Sequence, residues 1–171
     1  TGIAVATSVQ GGYRQGSIGK PCPYYKVRIV DEKGREVLPN EIGEMIIKGP
    51  AVCSEYFSNP EQTAENMQDG WYYTGDMAKK DHEGYYYFAG RKTGMMKVAG
   101  LKVFPTEIEE VLSAHPKIAE AAVVKTHDHS HGEVPKAVIV PKGEIEIDKK
   151  ELREYCEQRM AKYKVPRIIE F

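Results

Sequence analysis

Hydrophobic and polar positions alternate at short range in the first half of the chain. Residues 26–30 (KVRIV) place apolar side chains at alternate positions, and residues 44–49 (EMIIKG) form a second short apolar run that ends at a glycine. The turn-forming sequence DEKG lies between them, so the pattern predicts strands of a meander with one buried face. Further on, the aromatic run at 85–90 (YYYFAG) follows a turn signal at Glu83–Gly84 and predicts a β-hairpin.

Capping signals predict the first and last helices. Asn59 precedes a proline and Gln62 stands three residues further on, so a helix over about residues 60–67 is expected to begin with a capping box. Asp148 and Glu151 have the same spacing at the start of the last helix.

The pattern changes after residue 94. Residues 95–104 (MMKVAGLKVF) predict two short strands joined by a turn, and a helix with one apolar face follows over about 105–115. Two apolar strands, 119–126 and 135–141, then flank a polar loop.

The order of the predicted elements is mostly β up to about residue 92 and β-α-β-β-α thereafter. This order predicts the α+β class: a distorted β-rich subdomain followed by a small β-α-β-β-α domain. The two packing units are expected to meet near residues 92–94.

Composition and charge exclude several classes of function. A chain of 171 residues with 41% hydrophobic residues can bury a core. Its formal net charge of −1 gives no field that would steer nucleic acid or an anionic membrane surface. No apolar run approaches the roughly 20 residues that span a bilayer, so no transmembrane segment is predicted.

Cysteine and histidine usage does not indicate a metal site. Cys22, Cys53 and Cys156 have no zinc-ligand spacing and predict packing residues in a reducing compartment. The loop at 127–132 (HDHSHG) alternates histidines with turn-forming residues, and no distant ligand completes a metal-binding set. The pattern therefore favours a solvated turn.

Asp76 is the leading candidate for chemistry. It follows Thr-Gly at a predicted strand end, where a tight turn can project a carboxylate that accepts two hydrogen bonds from a vicinal diol such as a ribose. Arg91 lies fifteen positions later, at the far end of the hairpin, and the antiparallel return could bring it beside Asp76. Residue spacing also allows a second interpretation, in which the two residues form a structural ion pair.

Gly100 lies between Lys97 and Lys102, within a pair of predicted strands. A glycine in this position can mark the close approach of a ligand or of another backbone. It can equally belong to an ordinary β-turn, and the local sequence leaves both interpretations open.

Seven stretches, taken in order, resemble segments of the AMP-forming acyl-CoA synthetases (acid–CoA ligases). These enzymes belong to the adenylating-enzyme superfamily, which also holds firefly luciferase and the adenylation domains of peptide synthetases. The form VFPTEIE looks like the acid–CoA ligase branch. The seven stretches are GSIGKPCPYYKVRIVD, GEMIIKGP, YFSNPEQTAE, GWYYTGD, GYYYFAGRKTGMMKVAGLKVFPTEIEEVL, AEAAVVKTHDHSHGEVPKAVIV and AKYKVPRIIEF.

The resemblance implies roles for nine residues in three groups. One group would contact the nucleotide, with the carboxylate holding both ribose hydroxyls. A second would form the hinge between a large and a small domain, and a third would contact CoA. The nucleotide group is Asp76, Arg91 and Thr74; the hinge group is Lys92 and Thr93; the CoA group is Gly100, Ala99, Lys97 and Lys102. The hinge position is commonly acidic or lysine in this family, and Thr93 departs from that pattern.

The resemblance also implies a domain division and an excised C-terminal piece. Residues 1–92 would be the end of the large adenylate-forming domain, 93–94 the hinge, and 95–171 a small mobile domain truncated before its adenylation lysine. That lysine would lie beyond Phe171, so no catalytic residue is expected within residues 1–171. The phosphate loop and the glutamate that helps to hold Mg²⁺ would lie upstream of Thr1. The isolated fragment is therefore expected to be inactive.

The implied cofactors are ATP or AMP, Mg²⁺ and CoA, and the implied location is the cytoplasm. The acid substrate is expected to be a fatty acid, with aryl acids as the alternative; at most residues 3–5 would line the edge of its pocket. Two other functions stay open. The acyl group could pass to the phosphopantetheine of a carrier protein, or the chain could be a non-catalytic nucleotide-binding module.

Overall fold

The computed structural model describes residues 4–7, 14–143 and 145–171. Contacts within the chain divide it into two compact units, one ending at Lys92 and one beginning at Thr93. The predicted α+β class is confirmed, since both units combine strands with short helices.

The first unit is built on a five-stranded antiparallel sheet. The elements are β1 (Val5–Ala6), β2 (Lys20–Pro21), β3 (Lys26–Val30), β4 (Gly43–Lys48), α1 (Pro60–Asn66), β5 (Met67–Gln68), β6 (Trp71–Lys80) and β7 (Tyr86–Arg91). The long strand β6 pairs with β4 along one edge, and β3 lies beyond β4. Along its other edge β6 pairs first with β5 and then with β7.

The predicted meander and hairpin are both present in this sheet. β3 and β4 pair in antiparallel register, and their alternate apolar residues, among them Ile29 and Ile47, enter the core of the unit. β6 and β7 form the aromatic hairpin, and Gly84 occupies its turn with a φ of 83°. That positive φ explains why a glycine stands at this position.

Asn59 caps helix α1 as predicted, but only one of the two hydrogen bonds of the predicted capping box is formed. The Asn59 side chain accepts a hydrogen bond from the Gln62 backbone N–H at 3.1 Å. The Gln62 side chain does not return to the Asn59 backbone. It accepts from the Asn59 side-chain amide, because the Asn59 backbone N–H already donates to the Tyr56 carbonyl.

The second unit contains a second five-stranded sheet and two helices. The elements are β8 (Met96–Val98), β9 (Leu101–Val103), α2 (Pro105–Ser113), β10 (Ile118–Asp128), β11 (Gly132–Pro141), α3 (Lys149–Glu157) and β12 (Ile168–Glu170). The strands follow the order β10-β11-β8-β9, and β12 pairs in parallel with β11. None of the described helices is long and apolar enough to cross a membrane.

The core of the second unit is one apolar cluster to which the sheet, α2 and α3 all contribute buried residues. Ile108 and Leu112 come from α2, and Leu152 and Cys156 from α3. The prediction that all three cysteines are packing residues is wrong for Cys53, which is exposed, and Cys22 is only partly buried. Cys156 is completely buried, as predicted, and its burial raises the pKa of its thiol to about 11. A thiol in this state is chemically inert at neutral pH.

Asp148 caps helix α3 at its N-terminus, and its side chain accepts a hydrogen bond from the Lys150 backbone N–H. The predicted capping role of Glu151 is wrong. Its carboxylate forms an ion pair with Lys117 at 2.8 Å and lies 3.8 Å from Nε2 of the buried His115.

His115 is held as the neutral imidazole, because its Nδ1 accepts a hydrogen bond from the Lys117 backbone N–H. Burial is the main reason that the pKa of His115 is lowered.

The loop between β10 and β11 is organised by Asp128. One of its oxygens accepts backbone N–H groups from Ser130 and His131, and it lies 2.7 Å from Nδ1 of His131. The hydrogen bond from His131 is the main reason that the pKa of Asp128 is lowered. This is the turn chemistry expected of an aspartate at the start of a loop.

Candidate functional site

A β-bulge in the middle of β6 presents the candidate carboxylate. Three residues of β6, Thr74–Asp76, oppose the single residue Met45 of β4. Gly75 adopts a φ of 72°, a left-handed conformation that glycine reaches without a steric penalty. A bulge of this kind re-aims the side chain that follows it, so the Thr-Gly-Asp sequence accounts for the direction of Asp76.

Hydrogen bonds from the neighbouring strand hold the bulge in place. The Thr74 hydroxyl donates to the Met45 carbonyl at 2.7 Å and accepts the Asp76 backbone N–H at 3.0 Å. The Gly75 backbone N–H donates to the carboxylate of Glu44 at 3.2 Å. The Thr74 hydroxyl is thus engaged in shaping the bulge, and a contact between Thr74 and a nucleotide stays a prediction.

The structure brings Asp76 and Arg91 together. They are direct partners in the register of β6 and β7, and Nη1 of Arg91 lies 2.8 Å from Oδ1 of Asp76. The Asp76 side chain is 21% exposed and the Arg91 side chain 65% exposed. The carboxylate therefore lies at the base of the site, with the guanidinium at its rim.

The two groups are close enough for an ion pair but are not aligned for a hydrogen bond. Nη1 of Arg91 donates to the Thr74 carbonyl at 3.4 Å, and Oδ1 of Asp76, a buried atom, receives no hydrogen bond from any residue that the structure describes. Burial raises the pKa of Asp76, Arg91 opposes that shift and Glu44 adds to it. Asp76 is therefore a partly desolvated carboxylate with acceptor capacity left over, which fits the hydroxyls of a diol.

A cavity of about 420 Å³ opens onto this carboxylate. Such a volume lies within the range of small-molecule sites. Its polar side includes Thr74, Asp76 and Arg91. Its apolar side consists of Ala4, Val5, Ile18, Met45 and Ile47. Ala4 and Val5 belong to the segment expected at the edge of the acid pocket; Ile3, also expected there, lies outside the described residues.

The two predicted hinge residues lie in a single 3-10 turn, Lys92–Gly94. Lys92 forms an ion pair with Glu44 at 2.7 Å, whereas Thr93 is exposed. Glu44 was not predicted to be part of the site. The available signal was a charged residue inside the apolar run of β4, where a buried charge requires a partner.

The residues expected at CoA form a tight hairpin between β8 and β9. Ala99 and Gly100 occupy its two-residue turn with φ values of 49° and 80°, the positive pair typical of a type I′ turn. Lys97 and Lys102 face each other across the hairpin. The β-turn interpretation of Gly100 therefore has a structural basis, and the predicted CoA contacts stay predictions.

Phe171, beyond which the adenylation lysine was expected, directly follows β12 in the second unit. It is 54% exposed, and its ring centroid lies 5.9 Å from Nζ of Lys149, the first residue of α3. This distance permits a weak cation–π contact. A phenylalanine side chain carries no group for acid–base or nucleophilic chemistry, so Phe171 itself receives no catalytic role. The position of the adenylation lysine stays a prediction.

No metal-binding set is present in the described part of the chain. Among those residues, no three or more histidine, cysteine or acidic side chains gather closely enough to hold an ion. Residues 1 and 2, next to which the glutamate for Mg²⁺ was expected, lie outside the described residues.

Comparisons with known proteins identify related sequences over the whole chain. A model described as AMP-binding enzyme matches residues 1–57, and one described as AMP-binding enzyme C-terminal domain matches residues 107–171. A long-chain-fatty-acid–CoA ligase of Bacillus subtilis is 40% identical over 170 residues, which are 99% of this chain and 30% of that protein.

Two solved structures are similar in fold. ATP-bound MatB from Rhodopseudomonas palustris matches with a TM-score of 0.93 and 31% identity, over 98% of this chain and 34% of that one. The o-succinylbenzoate CoA synthetase of Bacillus subtilis, in complex with its acyl-adenylate intermediate, matches with a TM-score of 0.85 and 36% identity, over 91% and 31%. The chain thus spans about a third of the length of the proteins it resembles.

Proposed function

Because this chain belongs to the family of AMP-binding enzymes, we propose that it carries the ribose-binding part of an AMP-forming acid–CoA ligase. The observation that supports this most is the position of Asp76: the residue lines a cavity of about 420 Å³, and its buried Oδ1 receives no hydrogen bond from the described residues. An acceptor in such a place is costly unless a ligand or water completes its hydrogen bonds.

The carboxylate of Asp76 would accept hydrogen bonds from both hydroxyls of the ribose. Arg91 lowers the pKa of Asp76 against the effect of burial and so favours the ionised form that accepts both bonds. Most of the Arg91 guanidinium remains exposed, so its other N–H groups can reach the phosphate of the nucleotide. Thr74 and Gly75 would act indirectly, by holding the bulge that aims the carboxylate.

The complete enzyme would catalyse two successive reactions. A carboxylic acid and ATP would give acyl-AMP and pyrophosphate, and acyl-AMP and CoA would then give acyl-CoA and AMP. Mg²⁺ would neutralise phosphate charge in the first reaction. Residues 1–92 would belong to the large domain, 93–94 to the hinge and 95–171 to the small domain. The hairpin residues Lys97, Ala99, Gly100 and Lys102 would approach CoA in the second reaction.

A fatty acid is the proposed substrate class, and the cytoplasm, with its ATP and CoA, the proposed location. The Bacillus subtilis long-chain-fatty-acid–CoA ligase, 40% identical, is compatible with a fatty acid, and the o-succinylbenzoate CoA synthetase, 36% identical, keeps aryl acids as the alternative. The apolar side of the cavity is compatible with an acyl chain. Since the chain spans about a third of that relative, we expect it to release no pyrophosphate by itself, and pyrophosphate release by the pure chain would refute this.

Titration of the 171-residue chain with AMP tests the proposal. Calorimetry should detect binding to the wild-type chain and lose it for Asp76→Ala. Asp81→Ala is the matched control, because Asp81 lies at the other end of the same hairpin, with its carboxylate bonded to the turn. Equal AMP affinity for wild type and Asp76→Ala would leave Asp76 a structural partner of Arg91 and refute the proposal.

A further inference from the structure

Glu44 is an acidic residue in the interior of the first unit. It lies near the start of β4, and its side chain is only 11% exposed. A carboxylate at this depth destabilises the folded state unless both of its oxygens have partners. The identity of those partners therefore indicates what the residue does.

Each oxygen of Glu44 contacts a residue that is next in sequence to Asp76 or to Arg91. One oxygen accepts the backbone N–H of Gly75, which directly precedes Asp76. The other forms an ion pair with Lys92, which directly follows Arg91. A side chain on β4 thus connects the bulge of β6 with the end of β7.

The local charges also couple Glu44 to Asp76. Glu44 is one of the groups that raise the pKa of Asp76, whereas Arg91 lowers it. Tyr72 is a further titratable group with an electrostatic interaction with Asp76. Each of these two carboxylates thus has its own cation, at 2.8 Å for Asp76 and 2.7 Å for Glu44.

We infer that Glu44 is a positioning residue, which holds Asp76 and Arg91 at the separation needed to bind a ribose diol, with Lys92 as its charge partner. The inference rests on the proposed function, since it assigns a role within the same site. Glu44 itself touches neither the sugar nor the phosphate in this account. It acts through Gly75 and Lys92.

Three substitutions separate this role from a general effect on folding. Glu44→Ala removes both contacts and should weaken AMP binding about tenfold, within the range of coupling seen in connected networks. Glu44→Gln keeps an acceptor for the Gly75 N–H and nearly the same volume, so it should fold and lose less affinity. Glu36→Ala is the control: Glu36 pairs with Lys80 at 2.9 Å, in a more exposed position further along β6, and should leave AMP binding unchanged.

Lys92→Met tests the charge partner. It should weaken AMP binding in the wild-type background but have little effect in the Glu44→Gln background, because a glutamine needs no counter-charge. Carbon-detected NMR titration of the ligand-free chain gives an independent measurement. Removal of the Glu44 charge should move the titration of the Asp76 carboxyl to lower pH, whereas the Glu36→Ala control should leave that titration unchanged.

The outcomes distinguish this inference from the proposed function. Weaker AMP binding in the Glu44 variants together with a shifted Asp76 titration supports the inference. If wild type binds AMP and Asp76→Ala does not, but the Glu44 variants bind and titrate like wild type, the inference is overturned and the function stands. If wild type does not bind AMP, the proposed function fails, and the positioning role fails with it.

Discussion

Gly75 offers the sharpest test of how the bulge in β6 works. Its φ of 72° lies in the left-handed region, where an alanine costs about 1–2 kcal/mol. A Cβ added at Gly75 would meet no atom within 4 Å, so no steric overlap adds to this cost. Gly75→Ala should therefore destabilise the first unit by about 1–2 kcal/mol, or change the bulge to avoid the strain. In either case the Asp76 carboxylate beside it loses its fixed position.

Gly84→Ala is the matched control for this substitution. Gly84 has a φ of 83° and equally open surroundings, but it lies in the hairpin turn, away from Asp76. Both variants should lose a similar amount of stability, so their urea midpoints should fall by about 1 M for an m value of about 1–2 kcal/mol/M. Trp71, the single tryptophan, lies on β6, so its fluorescence reports the unfolding of this unit.

The two variants should differ in AMP binding. Gly75→Ala should weaken it because the bulge aims Asp76, whereas Gly84→Ala should bind like wild type once both are folded. The reasoning is refuted if the two variants lose equal stability and both retain wild-type affinity, since the bulge would then have no effect on the site. An unchanged urea midpoint for Gly75→Ala together with unchanged AMP affinity would contradict the strain argument itself.

Three further predictions concern pH and the hairpin of the second unit. Because burial lowers the pKa of His115, the contribution of neutral His115 to the free energy of unfolding should be fully present above pH 6.5 and should decrease as the pH falls below that value. Circular dichroism at several pH values should show this loss of stability, and His115→Gln should remove it. Because the pKa of Asp76 is raised, AMP binding should decline on acidification at a pH above 3.8, the ordinary pKa of aspartate. Calorimetry across pH 3–7 checks this, and a decline only below pH 3.8 would argue against the ionised carboxylate as the acceptor. Ala99→Asn should stabilise the hairpin by about 0.5–1 kcal/mol, because asparagine tolerates the left-handed conformation that alanine adopts here. Thermal unfolding checks this, and a lower thermal midpoint for the variant would contradict the turn assignment.

Local sequence signals predicted the elements on which the site depends. The alternation in KVRIV and the turn at Glu83–Gly84 gave the sheet and its hairpin, because each depends on residues close together in the chain. The same hairpin suggested that Asp76 and Arg91 could meet, since an antiparallel return fixes which residues face each other.

Features that depend on distant residues could not be read from the sequence. The pairing of Glu44 with Lys92 joins positions 48 residues apart, and no local pattern marks it. Strand β12 is only three residues long and pairs in parallel with β11, so its pattern is too short to predict. The predicted capping box at Glu151 is absent for a related reason. The Glu151 carboxylate pairs with Lys117, which is distant in sequence, and a charged partner binds a carboxylate more strongly than a backbone N–H does.

In the proposed site, Asp76 binds the ribose through the two hydroxyls of the sugar. The most direct measurement compares the binding of AMP with that of its 2′,3′-dideoxy analogue to the wild-type chain and to Asp76→Ala. Two hydrogen bonds to a charged group, at about 1.5 kcal/mol each or more, predict that wild type prefers AMP by about 100-fold and that the variant shows no preference. Equal affinity of the wild-type chain for both ligands would contradict the claim.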